Sequence, residues 1–113
     1  MEPYEGLDFY DIESLLTEEE IMIRDMVRAW VDEEVLPKIE QACADGVFLD
    51  EWRVALGQRC VLGAPLIGYG CPVLSYVSCC LFSQALDHVA PALRSFASVQ
   101  SPTHMYLVVV VAL

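Results

Sequence analysis

The first sustained helical pattern in the chain starts at "LLTEEEI", residues 15–21. Thr17 followed three residues later by Glu20 is a capping box, and Leu16 and Ile21 stand where a hydrophobic staple pairs. Beyond it Ile23, Met26, Val27, Trp30 and Val31 recur at helical spacing. Arg24, Asp25, Arg28, Asp32 and Glu33 fall on the other side, which predicts a half-buried amphipathic helix. Pro37 interrupts or kinks it, because proline has no N–H and its ring meets the carbonyl four residues back. "KIEQACADG" carries the helix about two turns further, to a C-cap at Gly46. "LDEWRVALGQRCVLG" predicts a second helix with Asp50 near its start and Gly63 at its end.

The pattern then changes. "APLIGYGCP", residues 64–72, is too rich in Gly and Pro for a helix or a central strand and reads as a loop. From Val73 to about Val89 no charge appears until Asp87, and Ser75, Ser78 and Ser83 are the main polar groups. Such a helix is expected to be central and buried on most sides. It should stop near Ala90, since Pro91 cannot donate to the carbonyl of Asp87 but is favoured as the first residue of a new helix. At the two ends lie an acidic lead-in arm, residues 1–14 with Tyr4, Phe9 and Tyr10, and the apolar tail of residues 106–113. By its β-branched content the tail reads as strand-like and adhesive.

Length and charge narrow what such a chain can do. A chain of 113 residues makes one domain. The net charge is −11, and sixteen of the seventeen acidic residues lie between Glu2 and Glu51. Phosphate binding needs clustered Lys and Arg, so a nucleic-acid surface is excluded. The N-terminus shows no positively charged n-region and no Arg-rich amphipathic run, so the expected location is the cytoplasm. No membrane span is expected, because Pro65, Gly68, Gly70 and Pro72 break the uncharged run and leave about 14 helical residues where ~20 are needed. Cys43, Cys60, Cys71, Cys79 and Cys80 contain no C-x-x-C pair, and His88 and His104 lack metal-ligand spacing. The cysteines are therefore expected to be reduced and mostly buried, with no metal bound.

From Cys60 to Leu113 the only charged side chains are Asp87 and Arg94. Arg94 falls in the first turn of the Pro-initiated helix, where N–H groups and the helix dipole favour an anion, and Ser95 adds a hydroxyl. These residue types at a helix start suit a carboxylate or a phosphate, with Asp87 orienting the guanidinium when no anion is present. The alternative is a structural ion pair that neutralises itself in a buried junction. No nucleophile with an adjacent base and no pair of catalytic carboxylates is evident, and Val73 occupies the last glycine position of a G-x-G-x-x-G motif.

In order along the chain, "LTEEEIMIRDMVRAWVDEEVLPKIE", "VLGAPLIGYGCPVLSYV" and "LRSFASVQS" resemble the N-terminal helical domain of acyl-CoA dehydrogenases, most nearly the glutaryl-CoA dehydrogenase branch. The resemblance implies an all-α, up-down bundle-like domain over residues 15–105, without the β-barrel middle domain and the C-terminal bundle. It implies a family activity, the FAD-dependent oxidation of the α,β bond of an acyl-CoA, and a family tetramer or other self-association. In the glutaryl branch the Arg-Ser step binds the distal carboxylate of the substrate beside an upstream acid. These roles fall by position on Arg94, Ser95 and Asp87.

Asp87 stands where the family usually has Glu, and His88 where Arg is common. "APA" at 90–92 replaces a typical Asp-Ser-Gly, and Cys79-Cys80 replaces a Tyr-Gly-like pair. After Met105 the resemblance fades. The 113 residues lack the catalytic glutamate and most flavin contacts, so they are expected to retain no FAD and to be inactive alone. The alternative from another class is a helical protein-interaction module that reuses the fold and associates with a full-length subunit.

Overall fold

The computed structural model describes residues 9–59, 61–68, 70 and 73–112; of the side chains after Val99, it describes those of Tyr106 and Val110. Tyr4, Cys60, Cys71 and the side chain of His104 lie outside the described residues. A short 3-10 turn, Ile12–Leu15, precedes helix α1, Glu18–Trp30, and a wide π turn, Val31–Val35, leads directly into α2, Leu36–Asp45. Then come α3, Asp50–Gln58, α4, Tyr76–Val89, and α5, Pro91–Ala112, with no strand among the described residues.

Local chemistry accounts for most of these boundaries. Thr17 Oγ1 accepts the Glu20 N–H at 3.3 Å, and the Glu20 carboxylate accepts the Thr17 N–H at 3.0 Å, completing the capping box. Leu16 and Ile21 of the expected staple are both half-buried. The α-helix is interrupted ahead of Pro37 by the π turn but does not end there. The chain widens just before the proline, so that the Leu36 N–H donates to the carbonyl of Val31, five residues back. A turn of that width removes the clash between the proline ring and the preceding turn. Gly46, at φ 64°, ends α2 with its N–H on Cys43 and the Val47 N–H on Ala42, a Schellman closure that the left-handed backbone permits. Ala90 is extended, and Pro91 opens α5 as expected.

The core is a continuous apolar cluster. Val27, Trp30, Val31 and Val35 supply one wall, Trp52, Ala55 and Leu56 of α3 a second, and Phe82, Ala85 and Leu86 of α4 the middle. Ala90, Leu93 and Ala97 close it. Helix α4 lies between α1 and α5 and also touches the π turn. Burial of side chains such as Leu86 and Leu93, both 0% exposed, stabilises the domain by about 1.5–3 kcal/mol each. Phe48, in the α2–α3 connection, meets Trp52 edge-on at 5.7 Å and Phe96 of α5 at 5.5 Å, which ties α3 to α5.

Five expectations are corrected. Helix α3 stops at Gln58, not at Gly63, which at φ 68° serves the following turn. Helix α4 starts at Tyr76 and not at Val73, because Val73 takes a left-handed φ of 55° and Leu74 donates to the carbonyl of Ala64 at 2.7 Å. Although α4 is nearly uncharged, it is buried along one stripe only, Ser78, Phe82, Ala85 and Leu86, leaving Tyr76, Val77 and Cys80 exposed. Cys43 and Cys80 are exposed thiols, and Cys79 is half-buried, its thiol pushed up by that burial.

The fifth correction is the tail, which is not strand-like. Helix α5 runs on through it to Ala112. Extending a formed helix needs no new nucleus, and each β-branched residue costs less than about 0.7 kcal/mol, so local β preference loses to continuation. Helix α5 even spans Pro102, which deprives the Ser98 carbonyl of its usual donor.

Candidate functional site

The candidate anion site is the junction of α4 and α5. Asp87 sits in the last turn of α4 and Arg94 in the first turns of α5, with Arg94 Nε 3.4 Å from Asp87 Oδ1. The arginine side chain keeps 44% of its exposure and the aspartate 53%. A buried, self-neutralising junction is therefore not what the chain builds. The contact is longer than the 2.7–2.9 Å of a tight charge-assisted pair, and its partners are wet. His88 and Ser95 are also exposed here.

The helix start itself offers less than its position implied. Pro91 has no N–H, and the amides of Leu93 and Arg94 both donate back to the carbonyl of Ala90, at 2.9 and 3.4 Å. Most of the donors that a helix N-terminus presents are thus committed, and the guanidinium becomes the main attraction for an anion. Arg94 and Ser95 are consecutive on a helix, so their side chains leave the axis about 100° apart. An anion touching both would lie astride the edge of the first turn. The structure brings Asp87 and Arg94 together, whereas Ser95 is placed beside them by chain connection alone.

The dinucleotide implied by the resemblance carries a pyrophosphate, which needs converging cations or a glycine-rich cradle. Of the six cationic side chains in the sequence, five lie against carboxylates: Arg24 on Glu13 and Asp25, Lys38 on Glu51, Arg53 on Asp50, Arg59 on Glu34, and Arg94 on Asp87. The described residues therefore do not by themselves fit FAD. Among them no three His, Cys, Asp or Glu side chains converge on a metal-sized site. No helix of the described residues is long and apolar enough to cross a membrane.

Two polar features escaped the sequence pattern. Arg59 at the end of α3 lies 5.0 Å over the Trp30 ring and donates to the carbonyl of Ala55 at 3.2 Å, closing that helix by cation–π contact and carbonyl capping. Ser75 caps α4 and reaches Glu20 of α1 at 2.9 Å. The signal for the cap was present, a serine just before the apolar run, but reading the helix from Val73 hid it.

Residues 17–112 match the family model described as acyl-CoA dehydrogenase, N-terminal domain. The matched segment starts at the Thr17 cap and takes in the five α-helices of the described residues, the α4–α5 junction included. With an all-α fold and a match over most of its length, the chain belongs to the acyl-CoA dehydrogenase family and carries its N-terminal domain.

Proposed function

We propose that this domain supplies part of the acyl-substrate pocket in the flavin-dependent oxidation of an acyl-CoA that bears a distal carboxylate, as glutaryl-CoA does. Arg94 holds that carboxylate, Ser95 adds a hydroxyl donor, and Asp87 keeps the guanidinium oriented until substrate arrives. The observation that carries the reading is the state of the pair: an ion contact of 3.4 Å whose partners are about half exposed. Such a pair contributes little to stability, so an incoming carboxylate replaces Asp87 at small cost and offers a better two-point fit to the arginine fork. Asp87 is one methylene shorter than the usual Glu, and His88 stands in place of the common Arg. Both set the pocket slightly back and make it less basic than in the glutaryl branch.

The 113 residues by themselves supply no acceptor for a hydride and no base for the α-proton. The polypeptide alone is therefore read as inactive, with residues 1–14 as an arm and residues 15–105 as the functional domain. The test is a chimera that joins this domain to the middle and C-terminal domains of a family member. Arg94→Met should lower kcat/KM for glutaryl-CoA at least about tenfold more than for a monocarboxylic acyl-CoA of similar length. Equal losses on both substrates would show that Arg94 supports the fold and does not read the substrate.

A second reading, a helical interaction module, is favoured by one observation. Tyr76 and Val77 on α4, 74% and 46% exposed, and Val99, Tyr106 and Val110 on α5, 61%, 69% and 50% exposed, are apolar faces that the chain does not cover. Both readings place a protein surface against these helices. They differ in whether the Arg94 step meets a substrate.

A further inference from the structure

We propose that Glu20 is a shared cap, a single carboxylate of α1 that closes the N-termini of both α1 and α4 and so latches the acidic first half of the chain to the nearly uncharged second half. Its Oε2 accepts the Thr17 N–H at 3.0 Å, and its Oε1 accepts the Ser75 hydroxyl at 2.9 Å, from a residue 55 positions away. Ser75 Oγ in turn accepts the Ser78 N–H at 3.1 Å and lies 3.0 Å from the hydroxyl of Ser78.

Counting protons fixes the direction of this network. An ionised carboxylate only accepts, so the single proton of Ser75 goes to Glu20. The Ser78 hydroxyl then donates into Ser75 Oγ, which takes two donors and gives one, the full capacity of a hydroxyl. Ser78 is 2% exposed and is the one buried hydroxyl side chain among the described residues. Its hydroxyl is satisfied because the chain of donors ends on a charge.

The charge also has a place to act. The first turn of α1 holds Glu18, Glu19 and Glu20, whereas the first turn of α4 holds no acidic residue. A helix start is stabilised by a nearby negative charge, and α4 takes its charge from α1. Of the three glutamates, Glu20 is the one that reaches Ser75. The latch fixes where α4 sits along α1, and the far end of α4 carries Asp87.

Amide hydrogen exchange on the 113-residue chain tests the latch. Glu20→Ala should speed exchange of the Ser78 amide in α4 about fivefold, while Glu19→Ala leaves it unchanged. Glu20→Gln, which keeps the size and removes the charge, should produce most of the same acceleration and covers the case in which the alanine variant fails to fold. Adding Glu20→Ala to Ser75→Ala should speed the Ser78 amide no further than Ser75→Ala alone, since the hydroxyl is the path between them. If Glu20→Ala and Glu20→Gln disturb only the first turn of α1, or if the Glu20 and Ser75 effects multiply independently, Glu20 is a local cap and the proposal fails.

Discussion

Replacing Arg94 by methionine removes the one cation of the second half while keeping its aliphatic reach, and the structure sets how much that should cost. At about 4 Å two unit charges attract by about 1 kcal/mol in water and about 4 kcal/mol at the effective dielectric of a protein surface. Holding an arginine side chain in one place costs up to about 2 kcal/mol of rotamer freedom. The Asp87–Arg94 contact is 3.4 Å long, with side chains 44% and 53% exposed, so it belongs at the wet end of that range. The net contribution should be within about 1 kcal/mol. Urea unfolding followed by far-ultraviolet circular dichroism reads this directly. With a slope of about 1–3 kcal/mol per molar urea, Arg94→Met should move the midpoint by less than about 1 M. A buried pair would behave differently. Stranding Asp87 without its partner would cost about 3–5 kcal/mol, and Asp87→Leu added to Arg94→Met would recover most of it. A loss above about 3 kcal/mol, rescued by the second change, would refute the reading of this pair as a replaceable surface contact.

Leu86→Ala, at a residue 0% exposed in the middle of the core, should cost about 2–5 kcal/mol, a large share of the stability of so small a domain; circular dichroism melting checks it, and a loss under 1 kcal/mol would mean α4 does not hold the core together. The Glu20 carboxylate is held below its usual range, chiefly by the Thr17 N–H and then by the Ser75 hydroxyl. Its contribution is therefore present above the ordinary glutamate range and lost as pH falls through the lowered value, so protonation should loosen α1 and α4 together. Carboxyl-resolved NMR titration should show Ser75→Ala raising the Glu20 midpoint, and an unmoved midpoint would contradict the contact between them.

What the sequence determined by itself was whatever closes within one helical turn. The Thr17–Glu20 box spans three residues, Gly46 answers a local demand for a left-handed backbone, and Pro91 both ends one helix and starts the next. These signals depend on neighbours in the chain and persist wherever the segment lies. The ordered motifs around Leu16–Glu40, Val61–Val77 and Leu93–Ser101 carried the family.

Whatever depends on which face meets which neighbour was decided by the tertiary structure. Met26 has the spacing of a core residue but is 42% exposed, whereas Arg24, on the polar side of the pattern, keeps 12% of its side-chain exposure between Glu13 and Asp25. A helix such as α4, charged only at Asp87, contains no charged stripe to mark its outer side, so only the placement of α1 and α5 selects Ser78, Phe82, Ala85 and Leu86 for burial. Neither the wetness of the Asp87–Arg94 pair nor the contact of Glu20 with Ser75 has a local signature. Solvent access and a partner 55 residues away are properties of packed helices, and they come into being only when the chain has folded.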